Sequence, residues 1–167
     1  MFNKITFYNN VITTEYQDQF TIRAVAISND GIVVCSAYRE SGGTAVRILE
    51  ITDTGVVLLQ TKIGTTGMGT GVSVTPASDK ACYSDPVKEK VYIYNLSSAF
   101  KFVQDSQLIL NAPPYMAGTR FGEKVGLSSN GKALAVAAPE YSIPNRKGPW
   151  LHCFPISIEN QHCHLHS

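Results

Sequence analysis

The residues with the greatest potential for chemistry lie near the C-terminus, where histidines and cysteines alternate. The run His162-Cys163-His164-Leu165-His166 follows His152 and Cys153 at a short distance. Imidazole and thiolate are good zinc ligands, and on a strand the three histidines of this run share one face. The spacing, however, matches none of the usual paired-ligand motifs. We therefore expect a frayed terminus or a shortened edge strand, with no metal and no cofactor. A metal-dependent hydrolase centred on this run stays open as an alternative.

Two other segments are candidates for catalysis or phosphate binding. Cys35 or Cys82 could pair with a histidine as a nucleophile, but both lie in apolar segments where burial raises the thiol pKa and blocks access. The glycine-rich segment 64–71 lacks the Gly-Lys-Ser/Thr ending of a phosphate loop and leads into a strand. We interpret it as a flexible connection between repeats. The chain is therefore predicted not to be an enzyme.

Composition and charge exclude several classes of protein. The 167 residues include 14 basic and 13 acidic ones and are 44% apolar, which is typical of a globular domain. Because neither sign is in excess, we expect no nucleic-acid partner and no membrane insertion. No signal peptide or transmembrane segment is recognised, so a cytoplasmic or virion location is most compatible with the sequence, and the four cysteines are expected to be free.

The elements that would position these residues come from a pattern that occurs three times. Segments beginning at Val25, Val72 and Val125 start 47 and 53 residues apart, close to the length of one four-stranded propeller blade. The predicted organisation is an N-terminal outer strand of an incomplete blade, three blade-like repeats and a short polar tail within the last of them: 1–19, 20–66, 67–118 and 119–167.

Each repeat begins with a hairpin. Asp30-Gly31 and Asn130-Gly131 tolerate positive φ and suit tight turns, while the middle repeat has Pro76-Ala77-Ser78-Asp79 instead. Third strands at about 46–51, 91–96 and 150–154 and fourth strands at 56–63, 100–110 and 160–167 complete the pattern. The predicted fold is all-β, with three four-stranded antiparallel blades. The residues expected in inner strands or between neighbouring sheets are Val33, Val34, Cys35, Leu134, Val136, Ile48, Val91 and Ile93.

These repeats resemble the FG-GAP repeat, the blade of the integrin α-chain head propeller. The clearest match is Arg120-Phe121-Gly122 followed by Ala137-Ala138-Pro139, and the middle repeat keeps Met68-Gly69. The first repeat has Thr21-Ile22 at the same place. The resemblance implies a propeller that serves as a binding module. Many blades of that family bind calcium in the first hairpin, but each turn here has at most one carboxylate, so we expect none.

The number of repeats makes a further prediction. Closed propellers have four to eight blades, so three blades form an incomplete propeller or one completed by a second chain. Phe121, Leu127, Leu134 and Val136 predict an exposed apolar face at the third repeat. Such a face usually marks an interface, and self-association or docking into a larger assembly is expected.

The loops at one end of the blades are the expected binding surface, since loops on a rigid scaffold often carry function. Its candidate residues are Tyr38, Arg39, Glu40, Tyr115, Tyr141, Arg146 and Lys147. We predict a structural or protein-interaction module, with a virus particle as one setting. A glycan-binding module that uses Tyr38, Tyr115, Tyr141 and Trp150 as stacking platforms is the alternative.

Overall fold

The chain folds into a series of antiparallel sheets. The computed structural model describes residues 2–5, 14–17, 20–39, 43–64, 66–140 and 150–155. The strands of a separate N-terminal pair are β1 (Phe2–Ile5) and β2 (Thr14–Gln17). The strands of the first sheet are β3 (Phe20–Ile27), β4 (Ile32–Arg39), β5 (Thr44–Thr52) and β6 (Gly55–Gly64). The strands of the second are β7 (Val72–Val74), β8 (Lys80–Asp85), β9 (Lys90–Asn95) and β10 (Leu108–Asn111). The strands of the third are β11 (Lys124–Leu127), β12 (Ala133–Ala138) and β13 (Trp150–Pro155).

Every strand of these three sheets pairs with its neighbour along the chain. Two short 3₁₀ helices, Gln104–Ser106 and Pro114–Met116, are the helical elements of the described residues. The all-β prediction and the four-stranded antiparallel repeat are therefore confirmed. The segment expected to supply the fourth strand of the third sheet, 160–167, lies outside the described residues. The N-terminal segment, expected to be one outer strand, contains two strands that pair with each other.

The three sheets stack through two apolar cores. Between the first and second sheets, Ile32, Val34 and Ile48 pack with residues of β7 to β9, including Tyr83 and Tyr94. Between the second and third, Val91 and Ile93 pack with Leu134 and Val136. The predicted burial of these side chains is confirmed. Val33 and Cys35 are also buried, but with Leu49 in a small separate cluster on the other face of the first sheet.

Two glycines allow the sheets to approach closely. A Cβ at Gly69 would lie 2.5 Å from Ser36 Cβ in the first sheet, and one at Gly122 would lie 3.0 Å from Ser84 Cβ in the second. Both residues have positive φ, which glycine adopts without steric cost. They are the glycines of Met68-Gly69 and Phe121-Gly122, and the preceding side chains are buried in the two cores. The repeated pair therefore fixes how each sheet meets the one before it.

The glycine-rich connection between the first two sheets is buried from Gly67 to Gly71, whereas the sequence suggested a flexible connection. Met68 to Gly71 lie between the sheets. The Gly71 N–H donates to Ser84 Oγ at 2.8 Å, and Thr70 Oγ1 donates to the Gly67 carbonyl at 2.8 Å. Glycines are needed here for close packing and positive φ rather than for motion.

The predicted strand 100–110 was also wrong in its first half. Phe102 makes an isolated bridge with Leu96, and a 3₁₀ turn follows before β10 begins. Side chains of β6 form hydrogen bonds with polar groups of this connection. Gln60 Oε1 accepts from the Phe102 N–H at 2.8 Å, and Lys62 Nζ donates to Gln104 Oε1 at 3.0 Å. These bonds replace the ladder that a longer strand would have made.

The predicted exposed face at the third repeat was wrong as well. Phe121, Leu134 and Val136 are fully buried against the second sheet, and Leu127 is half-buried against the same core. The alternation of a strand places these residues on the face toward the second sheet, leaving the small residues Gly126, Ala135 and Ala137 on the other. Exposed apolar residues lie instead on β3, the inner strand of the first sheet: Ile22, Val25 and Ile27.

Gly69→Ala and Gly118→Ala separate the cost of positive φ from the cost of close packing. The two glycines have φ of 78° and 79°, but a Cβ at Gly118 meets no atom within 4 Å. We expect Gly118→Ala to lower the free energy of unfolding by about 1–2 kcal/mol, since the left-handed conformation costs that much. Gly69→Ala should lower it by about 1–3 kcal/mol more, because overpacking is added. Urea unfolding measures the difference, and equal losses would contradict the packing role.

Candidate functional site

The antiparallel order of the strands places the connections between sheets, and those between the second and third strands of each sheet, at one end. We call this the upper end: it contains 66–71, 86–89, 112–123 and 139–140. The opposite, lower end contains the first hairpin turns of the repeats, 28–31, 75–79 and 128–132. The upper end is where the sequence predicted a binding surface.

Hydrogen bonds that Glu89 accepts connect neighbouring loops of the upper end. Its carbonyl accepts from the Ala112 N–H at 2.9 Å, and its Oε1 accepts from the Thr119 N–H at 2.9 Å. The Thr119 carbonyl in turn accepts from the Glu140 N–H at 3.2 Å. Asp85, fully buried, accepts from the Lys88 N–H at 3.2 Å and forms an ion pair with its Nζ at 3.4 Å. The loops are therefore fixed to one another and present a rigid surface.

This surface combines exposed apolar groups with charges of both signs. Val87 is 72% exposed and Tyr115 is 56% exposed. Arg120 lies on the same loop as Tyr115, with Glu123 at 2.8 Å and Glu140 at 3.7 Å. Such a mixture of an aromatic, an aliphatic and a paired arginine is typical of surfaces that bind proteins.

The structure places only part of the predicted set on this surface. Tyr115 belongs to the 3₁₀ helix that precedes the third sheet and is exposed, while Tyr38 is half-buried near the upper end of β4. Arg39 ends β4, and Trp150 begins β13. Glu40, Tyr141, Arg146 and Lys147 lie outside the described residues. The grouping of all seven residues therefore stays a prediction.

Val87 and Arg120 belong to the same surface and were not in the predicted set. A signal for Val87 was available, because a lone aliphatic residue in the turn Pro86-Val87-Lys88 has no strand to bury it. Nothing comparable marks Arg120, which was attributed to the repeat motif alone. Its φ of 58° places it in the turn that precedes Phe121-Gly122.

A second candidate lies at the lower end, where the hairpin turns meet. In each turn one hydroxyl accepts a backbone N–H from the following strand: Ser28 from Ile32, Thr75 from Lys80 and Ser128 from Ala133, at 2.9 to 3.1 Å. The middle turn, which lacks the expected glycine, therefore closes in the same way as the other two. A hydroxyl at this place is a part of the repeat that the sequence reading missed.

Ser78 takes the place of the turn glycines. Its φ is 56°, against 77° for Gly31 and 63° for Gly131. Its hydroxyl donates to Ser28 Oγ at 2.7 Å and lies 3.2 Å from Asp30 Oδ2, so the strained turn is tied to the first repeat. A hydrogen bond from the Thr75 hydroxyl lowers the pKa of Asp79 at the end of the same turn. Strain at this residue is offset by bonds between repeats, which is a structural role.

The two central cysteines are buried and free, as predicted. Burial raises the pKa of Cys35 to about 11 and that of Cys82 to about 12. Because the thiolate is the nucleophile, neither residue is suited to catalysis. In the part of the chain that the structure describes, no three His, Cys, Asp or Glu residues lie close enough to hold a metal. The run 162–166 lies outside that part.

Comparison with known proteins agrees with the architecture. No protein-family model matches the chain, and no curated protein matches its sequence. Among solved structures, Kuenenia stuttgartiensis hydrazine synthase is similar with a TM-score of 0.57 at 12% identity, over 89% of this chain and 36% of that one. TolB from Acinetobacter baumannii has a TM-score of 0.57 at 10% identity, over 98% of this chain and 37% of that one.

A chain of the nidogen/laminin complex is also similar, with a TM-score of 0.54 at 8% identity, over 97% of this chain and 56% of that one. These neighbours are propeller proteins. The chain has a β-propeller-type fold. It spans about a third to a half of the length of the structures it matches. At such identities the similarity shows the fold alone. Within the described residues, no helix is long and apolar enough to cross a membrane.

Substitutions at Ser78 test the coupling between the first two turns. Ser78→Ala removes the bonds to Ser28 and Asp30 but keeps the left-handed strain, so we expect about 1–2 kcal/mol of lost stability. Ser78→Gly removes the same bonds and relieves about 1 kcal/mol of strain, so its loss should be smaller. Ser129→Ala, exposed in the turn of the third repeat, is the control and should change little. A larger loss for glycine than for alanine, in urea unfolding, would contradict this account.

Proposed function

We propose that the chain is a non-enzymatic interaction module whose upper end binds another protein. The observation that carries this proposal is the exposure of Val87 and Tyr115 on loops that are held rigid by Glu89. A rigid surface loses little conformational entropy on binding, so more of the contact energy appears as affinity. A larger assembly, such as a virus particle, would supply a protein partner of this kind.

Charge on the same surface favours a mixed-charge partner. Lys88, Arg120 and Glu140 are all about half exposed, and each is close to an opposite charge. Because the formal net charge of the chain is only +1, steering by a strongly charged partner is not expected. The partner that fits is a protein with an apolar centre and a polar rim.

We also propose that the repeats are related to the FG-GAP repeat. Support comes from Met68-Gly69 and Phe121-Gly122, which have the same structural role in two repeats. Each buries an apolar side chain and places a positive-φ glycine against a serine of the preceding sheet. The calcium loop of that family stays outside the proposal, because each turn carries at most one carboxylate.

Substitution of the two exposed apolar residues tests the function. We expect Val87→Asp and Tyr115→Ala each to weaken binding of a partner captured from an extract of the native cells by about tenfold or more. Truncating a central aromatic residue of an interface typically costs over 1 kcal/mol of binding free energy. Ser129→Asp, at the lower end, is the matched control and should bind as the wild type. Affinity is measured by titrating each purified variant against the captured partner.

The glycan alternative is separated by the same variants. A glycan array bound by wild type and lost with Tyr115→Ala, with no protein captured, would replace the proposal with a lectin-like module. Capture that is equal for the wild type and both upper-end variants would reject the upper end as the binding surface.

A further inference from the structure

The face of each sheet that packs on the preceding sheet is built from equivalent residues, and we call it the leading face. Register defines the equivalence, because Val25 pairs with Cys35, Val72 with Tyr83 and Val125 with Val136. In the second sheet the inner part of this face, Val72 and Val74, is only 8% exposed, since the first sheet covers it. The corresponding residues of the third sheet, Val125 and Leu127, pack against the second.

The leading face of the first sheet lacks this cover along its inner strand. Val25 and Ile27 occupy the places of Val72 and Val74, yet they are 64% and 56% exposed. Ile22, further up β3, is 42% exposed. These residues are apolar like their equivalents in the other two sheets. There, the equivalent strands β7 and β11 contact the preceding sheet. The inner strand therefore matches a packed position that the described chain leaves open, whereas Val33, Cys35 and Leu49 on the middle strands of the same face are buried.

The opposite, trailing face of the third sheet is the complementary surface. In the first two sheets the inner strand of the next sheet packs on the trailing face. The residues at the inner part of this face are Ala24 and Ala26 in the first sheet and Ser73 and Cys82 in the second. The third sheet has Gly126 and Ala135 there, with the exposed Lys124 at the upper end of β11, and a Cβ on Gly126 would meet no atom within 4 Å. Small side chains leave room for a neighbour with larger ones, such as Val25 and Ile27.

We propose that the inner strand β3 on the leading face of the first sheet binds the trailing face of the third sheet of a second copy. Applied in both directions, this contact joins two chains into a ring of six sheets, within the four to eight that propellers use. It is a head-to-tail contact that closes, so association stops at the dimer. This inference concerns the end faces of the sheet array and is independent of the upper-end binding proposed above.

One residue of the first repeat differs from its equivalents in a way that weakens the contact: Ile22 stands where the other repeats have glycine. The two junctions inside the chain place Gly69 against Ser36 and Gly122 against Ser84, whereas the junction between chains would place Ile22 against Ala137. Ile22 cannot allow the same approach, so the upper part of this junction is wider than the others. The dimer should therefore dissociate reversibly as the concentration falls, unlike the internal junctions.

Sedimentation velocity of the full chain, from about 1 to about 100 µM, tests the proposal. We expect a reversible monomer–dimer equilibrium. Val25→Asp and Ala135→Asp should each raise the dissociation constant tenfold or more, because each places an unpaired charge in an apolar contact. Val25 is already exposed, so its variant should fold as the wild type does, which urea unfolding checks.

Mixing the two variants gives the decisive measurement. A mixed dimer keeps one junction free of both substitutions, so an equimolar mixture should dimerise more tightly than either variant alone. Val87→Asp, at the upper end, is the control and should leave the dimer unchanged. Loss of partner capture with Val87→Asp and an intact dimer would show the two surfaces to be separate.

Three results would overturn the proposal. A monomer at every concentration would do so and would favour residues 1–19 of the same chain as the cover of Val25. A dimer weakened by Val25→Asp but not by Ala135→Asp would mean that two leading faces pair with each other. Growth beyond the dimer would mean that the contact does not close a ring.

Discussion

The arrangement of the three sheets depends on two places where a backbone approaches a serine with no side chain between them. Gly69 lies against Ser36 and Gly122 against Ser84; a methyl group would overlap Ser36 at the first place and would be a tight contact with Ser84 at the second. Both cores form around these contacts, because the residue before each glycine is buried in the core beside it. The spacing of the sheets, the closure of the cores and the positions of the upper loops all follow from that approach.

Aromatic packing explains why the junction between the first two sheets differs in character from the next one. Tyr83 stacks on Tyr92 and Tyr94, and Phe102 packs against both Tyr83 and Tyr94. Lys62 of β6 lies 4.1 Å from the Tyr94 ring centroid and donates to its hydroxyl at 2.8 Å. The outer part of this junction is therefore held by rings and a cation, while the second junction is held by aliphatic side chains and Phe121.

The repeat, the strands and most of the core could be predicted because they follow from local patterns. Alternation at 133–138 specifies both a strand and its buried face, whereas 32–37 and 91–95 are nearly continuous apolar runs that specify a strand alone. The direction in which that face points could not be predicted, since alternation does not say which neighbouring sheet covers it. For this reason Phe121 and Leu134 were assigned to an open end when they lie in a core.

Burial of the glycine-rich connection could not be predicted for a similar reason: composition permits flexibility, but burial of Met68 to Gly71 is a property of the assembled sheets. Of the candidate surface, Tyr115 could be found as an exposed loop aromatic, while the bonds of Glu89 that hold the surface depend on loops far apart in sequence.

Pairing of each strand with its neighbour along the chain has a consequence for synthesis. A sheet of this kind needs no distant segment to complete its ladder, so it can form soon after its last strand leaves the ribosome. Its apolar face is different, because the residues that pack against Val34 and Ile48 from the second sheet follow at 68–102. During the time in which those residues are made, at about 5–20 residues per second, the nascent first sheet presents a finished ladder with an uncovered core. The interval is a few seconds, which is long enough for a chaperone, or another nascent chain, to reach it first.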